Sequence, residues 1–462
     1  MGKGVIMRKQ LDLLNGPILP VLSKLALPIM ATSFIQMAYN LIDMIWIGAI
    51  GSAAVASVGA AGMFMWLSNG LATLAKMGGQ IKVAHALGAD AKKEAAWYAQ
   101  SSIQMGIVFA LIFGILSIIF VDPMIGFFKL NSTDVIRDAK YYLMITCGFV
   151  IFSFMNQIFT GILTAMGNSK TSFIATTTGL LLNIVLDPLF IFGFGFIPAM
   201  GVFGAGLATI IAQFLVMLLF ILAIRKDQIL FHEVHILHKP HPLYVKEIFR
   251  IGLPSALQSM LFSTISMVIA RLIAGWGDSA VAVQKVGSQI ESISWMSAEG
   301  YAAALNSFVA QNYGAKNPKR VKEGYRISMI VMLAWGVFCT LVLILCPQVI
   351  FQIFIHEQDV LPLGVDYLRI LGFSQLFMCM EITTAGAFSG LGKTLPPSIV
   401  SITLTSARIP MAMVLSDLFG LNGIWWAITI SSIGKGSVLF TWFIHNIKKP
   451  DFLIPKHITV EN

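Results

Sequence analysis

The chain is poor in charge and in cysteine, and these two shortages limit what it can be. Charged residues make up 11% of its 462 positions and hydrophobic residues 57%, whereas about a quarter of a soluble domain is charged. The mean hydropathy of +0.81 therefore excludes an ordinary soluble fold and indicates a protein of the bilayer. The few cysteines show no CxxC spacing, so the sequence predicts neither a disulfide framework nor a zinc site. They are Cys147, Cys339, Cys346 and Cys379.

The sequence also lacks the motifs of common enzymes. It contains no nucleophile elbow, zinc-binding helix motif or paired-carboxylate catalytic motif. The GKT triplet at Gly392–Thr394 resembles the end of a phosphate-binding loop, but the first glycine of that motif would fall on Ala387. Four histidines recur at every third position of the mid-chain break, where neighbouring prolines interrupt any helix that would align them. They are His232, His235, His238 and His241. We therefore expect no enzyme, no cofactor and no resident metal centre.

The positive charge is explained by orientation in the membrane rather than by a nucleic-acid partner. The formal net charge is +9, and the basic residues fall in alternate short loops, among them those that hold Lys82, Lys92, Lys316 and Arg320. This bias places those loops, and both termini with them, in the cytoplasm. We therefore expect a multi-pass protein of the inner (plasma) membrane that binds no nucleic acid.

Apolar runs long enough to cross a hydrocarbon core of ~30 Å recur twelve times along the chain. They fall at roughly 22–48, 53–80, 97–121, 139–164, 170–195, 202–224, 250–274, 279–310, 327–350, 365–389, 396–417 and 422–445. One long polar interruption, residues 225–246, divides them into six and six. The sequence therefore predicts an all-α polytopic membrane protein with twelve transmembrane helices.

The two halves repeat one another at a nearly constant offset of 226 residues. KLALP at Lys24–Pro28 corresponds to RIGLP at Arg250–Pro254, and Gly51 corresponds to Gly277. Because six is an even number, both copies enter the membrane from the same side, so a pseudo-two-fold axis along the membrane normal should relate the two six-helix repeats. The predicted domains are an N-lobe at 1–224, a linker at 225–249 and a C-lobe at 250–462.

The first apolar span carries an acid. Gln36, Asn40 and Asp43 recur at i, i+4 and i+7, which places them in one polar stripe of a helix beside Tyr39. A carboxylate at membrane depth costs several kcal/mol unless it pairs, takes a proton or meets water, so it is a functional candidate. Pro28, earlier in the same span, removes a helix hydrogen bond, and we expect the helix to bend there.

A second acid lies in the fifth span, where Asn183 and Asp187 form an i, i+4 pair before Pro188. Neutral polar side chains accompany the two acids in this half of the chain: Tyr39, Asn40, Asn156, Asn183 and Thr209. Two carboxylates with neutral oxygens suit Na⁺, a hard cation, or protons. We therefore predict that Asp43 and Asp187 bind a coupling cation together. The alternative is that each acid only braces neighbouring helices by hydrogen bonding.

The second half carries charges of both signs in its apolar spans: Lys285, Glu291, Glu299, Glu381, Arg408 and Lys435. Asp43 has no counterpart there, since its position corresponds to Ile269. Mixed signs favour internal pairing. Glu381, however, corresponds to Asn156, so both halves place a polar group at the same depth. The candidates for a substrate or coupling contact in this half are Glu381, Glu291 and Glu299.

Segments along nearly the whole chain resemble the multidrug and toxic compound extrusion (MATE) transporters. They include LALPIM, YNLIDMIWIG, VAHALGADAKKEA and NIVLDP in the first half and GLPSALQSM, VAQNYGAKNPKR and GAFSGLGKT in the second. The resemblance implies twelve helices in two lobes that export drug-like, often cationic compounds in exchange for H⁺ or Na⁺. It is strongest to the branch with coupling acids in the N-lobe, whose first-helix acid falls on Asp43 and whose fifth-helix pair falls on Asn183 and Asp187.

The same resemblance assigns further residues of the site. The polar cluster of that lobe matches Tyr39, Asn40, Asn156, Ala205 and Thr209, and the proline at which the first helix bends matches Pro28. A bound Na⁺ would have as ligands Asp43, Asp187, Asn183 and Thr209. Glu381 lies one residue out of register with the acid of the other branch, so its role stays open.

We therefore expect a monomeric secondary antiporter that exports small organic compounds by alternating access. The first alternative is a lipid-linked saccharide flippase, which would need a cationic cleft for phosphates; Lys285, Arg408 and Lys435 are the residues that would form it. The second is a membrane scaffold without transport, which would show no cation-driven flux. The sequence leaves the substrate open, and also the choice between Na⁺ and H⁺, because both use the same carboxylates.

Overall fold

The computed structural model describes residues 11–455, apart from 129, 131, 196, 226, 228, 229, 236, 237 and 355–359. Within these residues the secondary structure is helical, except for an isolated bridge between Phe194 and Ile197. The predicted cytoplasmic location of the two termini refers to residues 1–10 and 456–462, which lie outside the described residues, and it stays a prediction.

Among the described residues, eight α-helices precede the mid-chain break and nine follow it. The first set is α1 Ile18–Ile50, α2 Ser52–Gly88, α3 Lys92–Ile119, α4 Val121–Gly126, α5 Thr133–Gly148, α6 Ile151–Ala165, α7 Ser169–Phe192 and α8 Gly201–Ile224. The second set is α9 Pro242–Ala274, α10 Asp278–Gly314, α11 Pro318–Leu345, α12 Pro347–Gln352, α13 Leu361–Gly372, α14 Gln375–Gly390, α15 Leu395–Ser406, α16 Arg408–Phe419 and α17 Leu421–Ile447.

These helices form the twelve spans that the sequence predicts. Among the described residues, nine stretches are long and apolar enough to cross a membrane, with α15 and α16 counted as one. The pairs α5–α6 and α13–α14, bent by 42° and 45°, bring the number to eleven. The twelfth is α10, 37 residues long, which carries Lys285, Glu291 and Glu299 and is therefore less apolar than the others. The breaks within the fourth, tenth and eleventh spans are features that the sequence analysis did not predict.

The internal repeat extends to helix length and backbone conformation. Helices α1 and α9 each have 33 residues, α2 and α10 have 37, and α3 and α11 have 28. Gly51 and Gly277, which precede α2 and α10, have φ of 142° and 100°, a region that favours glycine. After these helices, Asp90 and Lys316 both turn the chain with φ in the left-handed region, at 56° and 54°. Each half therefore builds the same first three spans with the same turns.

The chain divides into two compact units, and two helices contribute to both of them. One unit, called here the first unit, is built around Ala31–Ala256; the second unit is built around Asp12–Met30 and the residues from Leu257 onward. Both divisions fall two residues after a proline, Pro28 in α1 and Pro254 in α9. Helix α1 is assigned as one helix through Pro28, so the predicted bend at that residue stays a prediction, as do the lobe boundaries at 224 and 250.

A buried ion pair attaches the first part of α9 to α2 and α3 within the first unit. Lys82 Nζ lies 2.6 Å from Glu247 Oε2, with side-chain exposures of 11% and 15%. Tyr98 donates its hydroxyl hydrogen to the same carboxylate, and Lys82 Nζ lies 5.0 Å from the centre of the Tyr98 ring. The sequence-based placement of Lys82 in a loop is wrong, because α2 continues to Gly88, two turns beyond the end of the apolar run.

The Lys82→Met variant is expected to lower the free energy of unfolding by about 3 kcal/mol, because it leaves the Glu247 carboxylate buried without its counter-ion. The double variant Lys82→Met with Glu247→Met should recover most of that loss, since an apolar pair can replace a buried ion pair at little cost. Unfolding of the purified protein in detergent measures both. Equal losses in the single and double variants would contradict the ion-pair explanation.

Candidate cation site

The two predicted acids meet within the first unit, where α1 and α7 lie side by side. Asp43 comes from α1 and is half-buried, and Asp187 comes from α7 and is fully buried. Their carboxyl groups lie within hydrogen-bonding range of each other. In the described part of the chain, no lysine or arginine interacts with either group. The described residues therefore supply no cation to these two carboxyl groups in contact.

Asn183 connects the acids to α1 through its amide group. Its Nδ2 donates to the Tyr39 hydroxyl at 3.0 Å and to Asp187 Oδ2 at 2.7 Å. Asn183 is 2% exposed, and its Oδ1, like Oδ1 of Asp187, has no hydrogen-bond donor among the described residues. A buried acceptor without a donor costs about 1–3 kcal/mol. A cation bound to either oxygen would offset that cost there.

Helix α8 adds two further predicted residues. The Tyr39 hydroxyl also lies near the Thr209 side chain. Thr209 Oγ1 donates to the carbonyl oxygen of Ala205 at 3.0 Å, which orients the hydroxyl oxygen on the helix face. Ala205 is 1% exposed and lies in a buried apolar cluster of the first unit. The structure thus brings together Asp43, Asp187, Asn183, Tyr39, Thr209 and Ala205.

A glycine sets how closely α8 approaches α7. A Cβ added at Gly204 would clash with the carbonyl oxygen of Phe190, three residues after Asp187. Only a residue without a side chain allows the two backbones to come this near. The approach positions the next turns of α8, with Ala205 and Thr209, against the part of α7 that carries the acid.

Two predicted members of the site make their hydrogen bonds elsewhere. Asn40, whose side chain is exposed, accepts a hydrogen bond from Gln36 Nε2 at 3.3 Å along α1. Asn156 on α6 donates through Nδ2 to the carbonyl oxygen of Gln213 on α8 at 2.9 Å. In the described structure neither bond leads to the two aspartates. Asn156 therefore joins α6 to α8, and Asn40 extends the polar face of α1.

Tyr142 on α5 is a neighbour of the site that the sequence analysis missed. It is 6% exposed and lies near enough to Asp43 and Asp187 to interact with both electrostatically. A Cβ added at Gly206 of α8 would come within 3.3 Å of its ring. A tyrosine in a mostly apolar span is a common core residue, so its sequence context offered no signal.

The second unit has its own buried charges, and two of them form an ion pair. Lys435 Nζ on α17 lies 3.0 Å from Glu381 Oε2 on α14. Arg408, at the start of α16, donates from Nε to Ser431 Oγ at 2.6 Å and from Nη2 to Ser432 Oγ at 3.0 Å. The second unit therefore contains its own cations at membrane depth, unlike the described surroundings of Asp43 and Asp187.

The other acids of this half differ in their surroundings. Glu291 accepts hydrogen bonds from Gln375 Nε2 at 3.1 Å and from the Tyr367 hydroxyl at 3.4 Å. Glu299 and Lys285 are exposed on α10. A substrate or coupling role for Glu381, Glu291 and Glu299 stays a prediction.

Comparison with known proteins gives consistent matches along the chain. The pattern of the MatE family matches residues 28–189 and again residues 254–414, one match in each half. The chain is 31% identical over 430 residues to the probable multidrug resistance protein NorM of Thermotoga maritima, covering 92% of this chain and 91% of that protein. It is 23% identical over 420 residues to the multidrug export protein MepA of Staphylococcus aureus, covering 90% and 91%.

A solved structure has the same fold. It is described as the outward-facing conformation of a multidrug resistance MATE family transporter of the MOP superfamily. The two chains superpose with a TM-score of 0.86 at 24% sequence identity, covering 96% of this chain and 99% of that one.

Proposed function

The chain belongs to the MATE family of multidrug efflux transporters, which are not enzymes, and we propose that it works as a secondary antiporter. In this proposal it exports drug-like, often cationic organic compounds in exchange for H⁺ or Na⁺ by alternating access. It acts as a monomer in the plasma membrane, with both termini in the cytoplasm.

One observation carries the coupling part of the proposal: in the first unit two carboxyl groups lie together, with no basic side chain among their described neighbours. Two carboxylates in contact at membrane depth repel each other strongly, because the surrounding dielectric is low. The pair therefore needs either a proton or a metal cation. The buried donor-free oxygens of Asp187 and Asn183 support a site that takes this cation from solution.

The oxygen atoms of this site suit both candidate ions, but a proton would use fewer of them than Na⁺. A proton needs only the two carboxyl groups of Asp43 and Asp187. Na⁺ would also use Asn183 Oδ1, which has no donor in the described structure, and the hydroxyl oxygen of Thr209. Asn183 orients the set because its amide nitrogen is already bound to Tyr39 and Asp187.

Occupancy of this site can act on the first helix. A cation between Asp43 and Asp187 ties α1 to α7, whereas an empty site leaves two repelling carboxylates on these helices. We propose that α1 bends at Pro28 when the occupancy changes, since that proline already lacks one helix hydrogen bond. The cation shifts the equilibrium between conformations only by the difference in its affinity for them.

Transport by the purified protein in liposomes tests the proposal. Export of ethidium, a fluorescent organic cation, is measured under an imposed Na⁺ gradient at equal pH and, separately, under a pH gradient without Na⁺. We expect at least one gradient to drive export against the ethidium gradient. Export that responds to neither gradient would overturn the antiport mechanism.

The flippase alternative loses the support of two of its three basic residues, Arg408 and Lys435. A cleft for phosphates needs uncompensated positive charge, but Lys435 is paired with Glu381 and the Arg408 guanidinium interacts with two glutamates. Binding of an anionic lipid carrier by the purified protein, with no ethidium export, would favour that alternative again.

A further inference from the structure

The second unit contains a buried pair that resembles an occupied cation site. We infer that the Lys435 ammonium group is a built-in counter-ion, which takes the place of a coupling cation at Glu381 and keeps the second unit from binding one. The inference rests on the proposed cation coupling in the first unit and extends it: only one of the two repeats then has a site for a cation from solution.

The geometry of the pair supports this role. Lys435 is 6% exposed and Glu381 is 7% exposed, and their charged atoms are 3.0 Å apart. Gly436, next to Lys435, lies so close to α14 that an added Cβ would clash with the carbonyl oxygen of Phe377, one turn before Glu381. The backbone crossing of α14 and α17 therefore holds the ammonium group in front of the carboxylate.

The oxygens around Lys435 resemble those of the first unit. Glu291 lies near enough to interact electrostatically with Lys435, and its carboxylate is bound by Gln375 Nε2. Oε1 of Gln375 is buried without a hydrogen-bond donor among the described residues. Two carboxylates and an amide oxygen are also what Asp43, Asp187 and Asn183 provide. The donor set alone would suit a hard cation.

The two units differ in the net charge of the groups that surround their buried acids. The charged groups around Glu381 are Glu291 on α10, Arg408 on α16 and Lys435 on α17, so two negative and two positive charges cancel. In the first unit, Asp43 and Asp187 interact with no positive side chain among the described residues. Two uncompensated carboxylates would therefore attract a cation from solution in the first unit. Around Glu381, the described residues of the second unit have no uncompensated carboxylate to attract one.

By the internal repeat, the ion pair lies where two helices cross, and the corresponding helices of the first unit are joined there by uncharged groups. Glu381 corresponds to Asn156, and Asn156 joins α6 to α8 through a neutral hydrogen bond to the Gln213 carbonyl oxygen. In the second unit, the corresponding helices α14 and α17 are joined by Glu381 and Lys435. The lysine thus neutralises an acid that the first unit does not have at this crossing.

The test removes the lysine in a protein that has no other cation site. In the background Asp43→Asn with Asp187→Asn, we measure the melting temperature while Na⁺ replaces N-methylglucamine at constant pH, and then across pH values without Na⁺. The background alone should show no Na⁺-dependent shift. Adding Lys435→Met should make the melting temperature rise by ~4 °C or more with Na⁺ or on acidification, because a ligand that binds only the folded state stabilises it.

Two further variants separate a cation site from a general loss of stability. Lys435→Arg keeps the positive charge and should show no Na⁺- or pH-dependent gain. Adding Glu381→Gln to Lys435→Met removes the carboxylate and should abolish the gain. If Lys435→Met folds only in Na⁺ or at low pH, the inference holds.

Three results would overturn the inference. The first is a folded Lys435→Met protein without any Na⁺- or pH-linked shift. The second is a shift that persists after Glu381→Gln. The third is a Lys435→Met protein that folds under none of these conditions. Failure of the proposed antiport would appear separately, as ethidium export by the unaltered protein that responds to neither gradient.

Discussion

Replacing Asp187 by asparagine is expected to abolish cation-driven export while the protein still folds and reaches the membrane. The substituted side chain keeps an oxygen that can accept the 2.7 Å hydrogen bond from Asn183 Nδ2, so the local packing of α7 is preserved. It loses the buried negative charge, which we expect to weaken cation binding about 100-fold, or roughly 3 kcal/mol. The initial rate of ethidium export from liposomes under the driving gradient measures the effect.

Asp43→Asn should give the same loss, and the double variant should be no worse than either single variant, because one shared cation couples the two positions. Asp90→Asn is a matched control: it removes an acid from the turn after α2, and asparagine tolerates the positive φ of 56° found there. That variant should export at the unaltered rate. Undiminished export by Asp187→Asn under the same gradient would remove Asp187 from the coupling mechanism.

The twelve spans could be predicted because a helix that crosses the bilayer needs about 20 apolar residues. The interruptions within them could not be predicted from proline alone. Helices α15 and α16 separate at Ala407, where Pro410 offers no N–H to the carbonyl of Ser406. Pro28 and Pro188 stand inside helices assigned without interruption, since neighbouring helices can accommodate a proline.

The spacing of polar residues in α1 predicted only part of the site. The spacing of Asn40 and Asp43 predicts a shared face, yet Tyr39 and Asp43 are the residues that meet the groups of α7. Consecutive helix positions differ by about 100°, so Tyr39 and Asn40 cannot both point to α7. The sequence identified the helix and the acid, but which side of the stripe faces the neighbour depends on packing.

Charge pairing in the second half could likewise be predicted from the sequence only in part. The mixed signs of its six intramembrane charges indicate internal pairs, but they do not say which groups pair. Lys435 and Glu381 are 54 positions apart in sequence, and their contact depends on how α14 crosses α17. The approach that Gly436 permits at Phe377 is a tertiary feature, with no signal in a single sequence beyond the glycine itself.

Alanine at Gly204 is expected to weaken both the fold and the cation site, whereas alanine at Gly423 should weaken the fold alone. An added Cβ would clash with the carbonyl oxygen of Phe190 in the first case and with that of Leu415 in the second. Overpacking of this kind costs about 1–3 kcal/mol, so both variants should melt at lower temperatures by similar amounts.

The difference between the two variants lies in what the displaced helix carries. Moving α8 away from α7 shifts Thr209 relative to Asp187, and we expect Na⁺ or H⁺ to stabilise Gly204→Ala at about tenfold higher concentrations than the unaltered protein. Helix α17 carries no part of the proposed site, so Gly423→Ala should keep the unaltered cation dependence. Melting temperatures across a Na⁺ titration and a pH series compare them directly. If both variants lose cation dependence equally, the close approach of α8 to α7 is a general requirement of the fold and does not position the cation ligands.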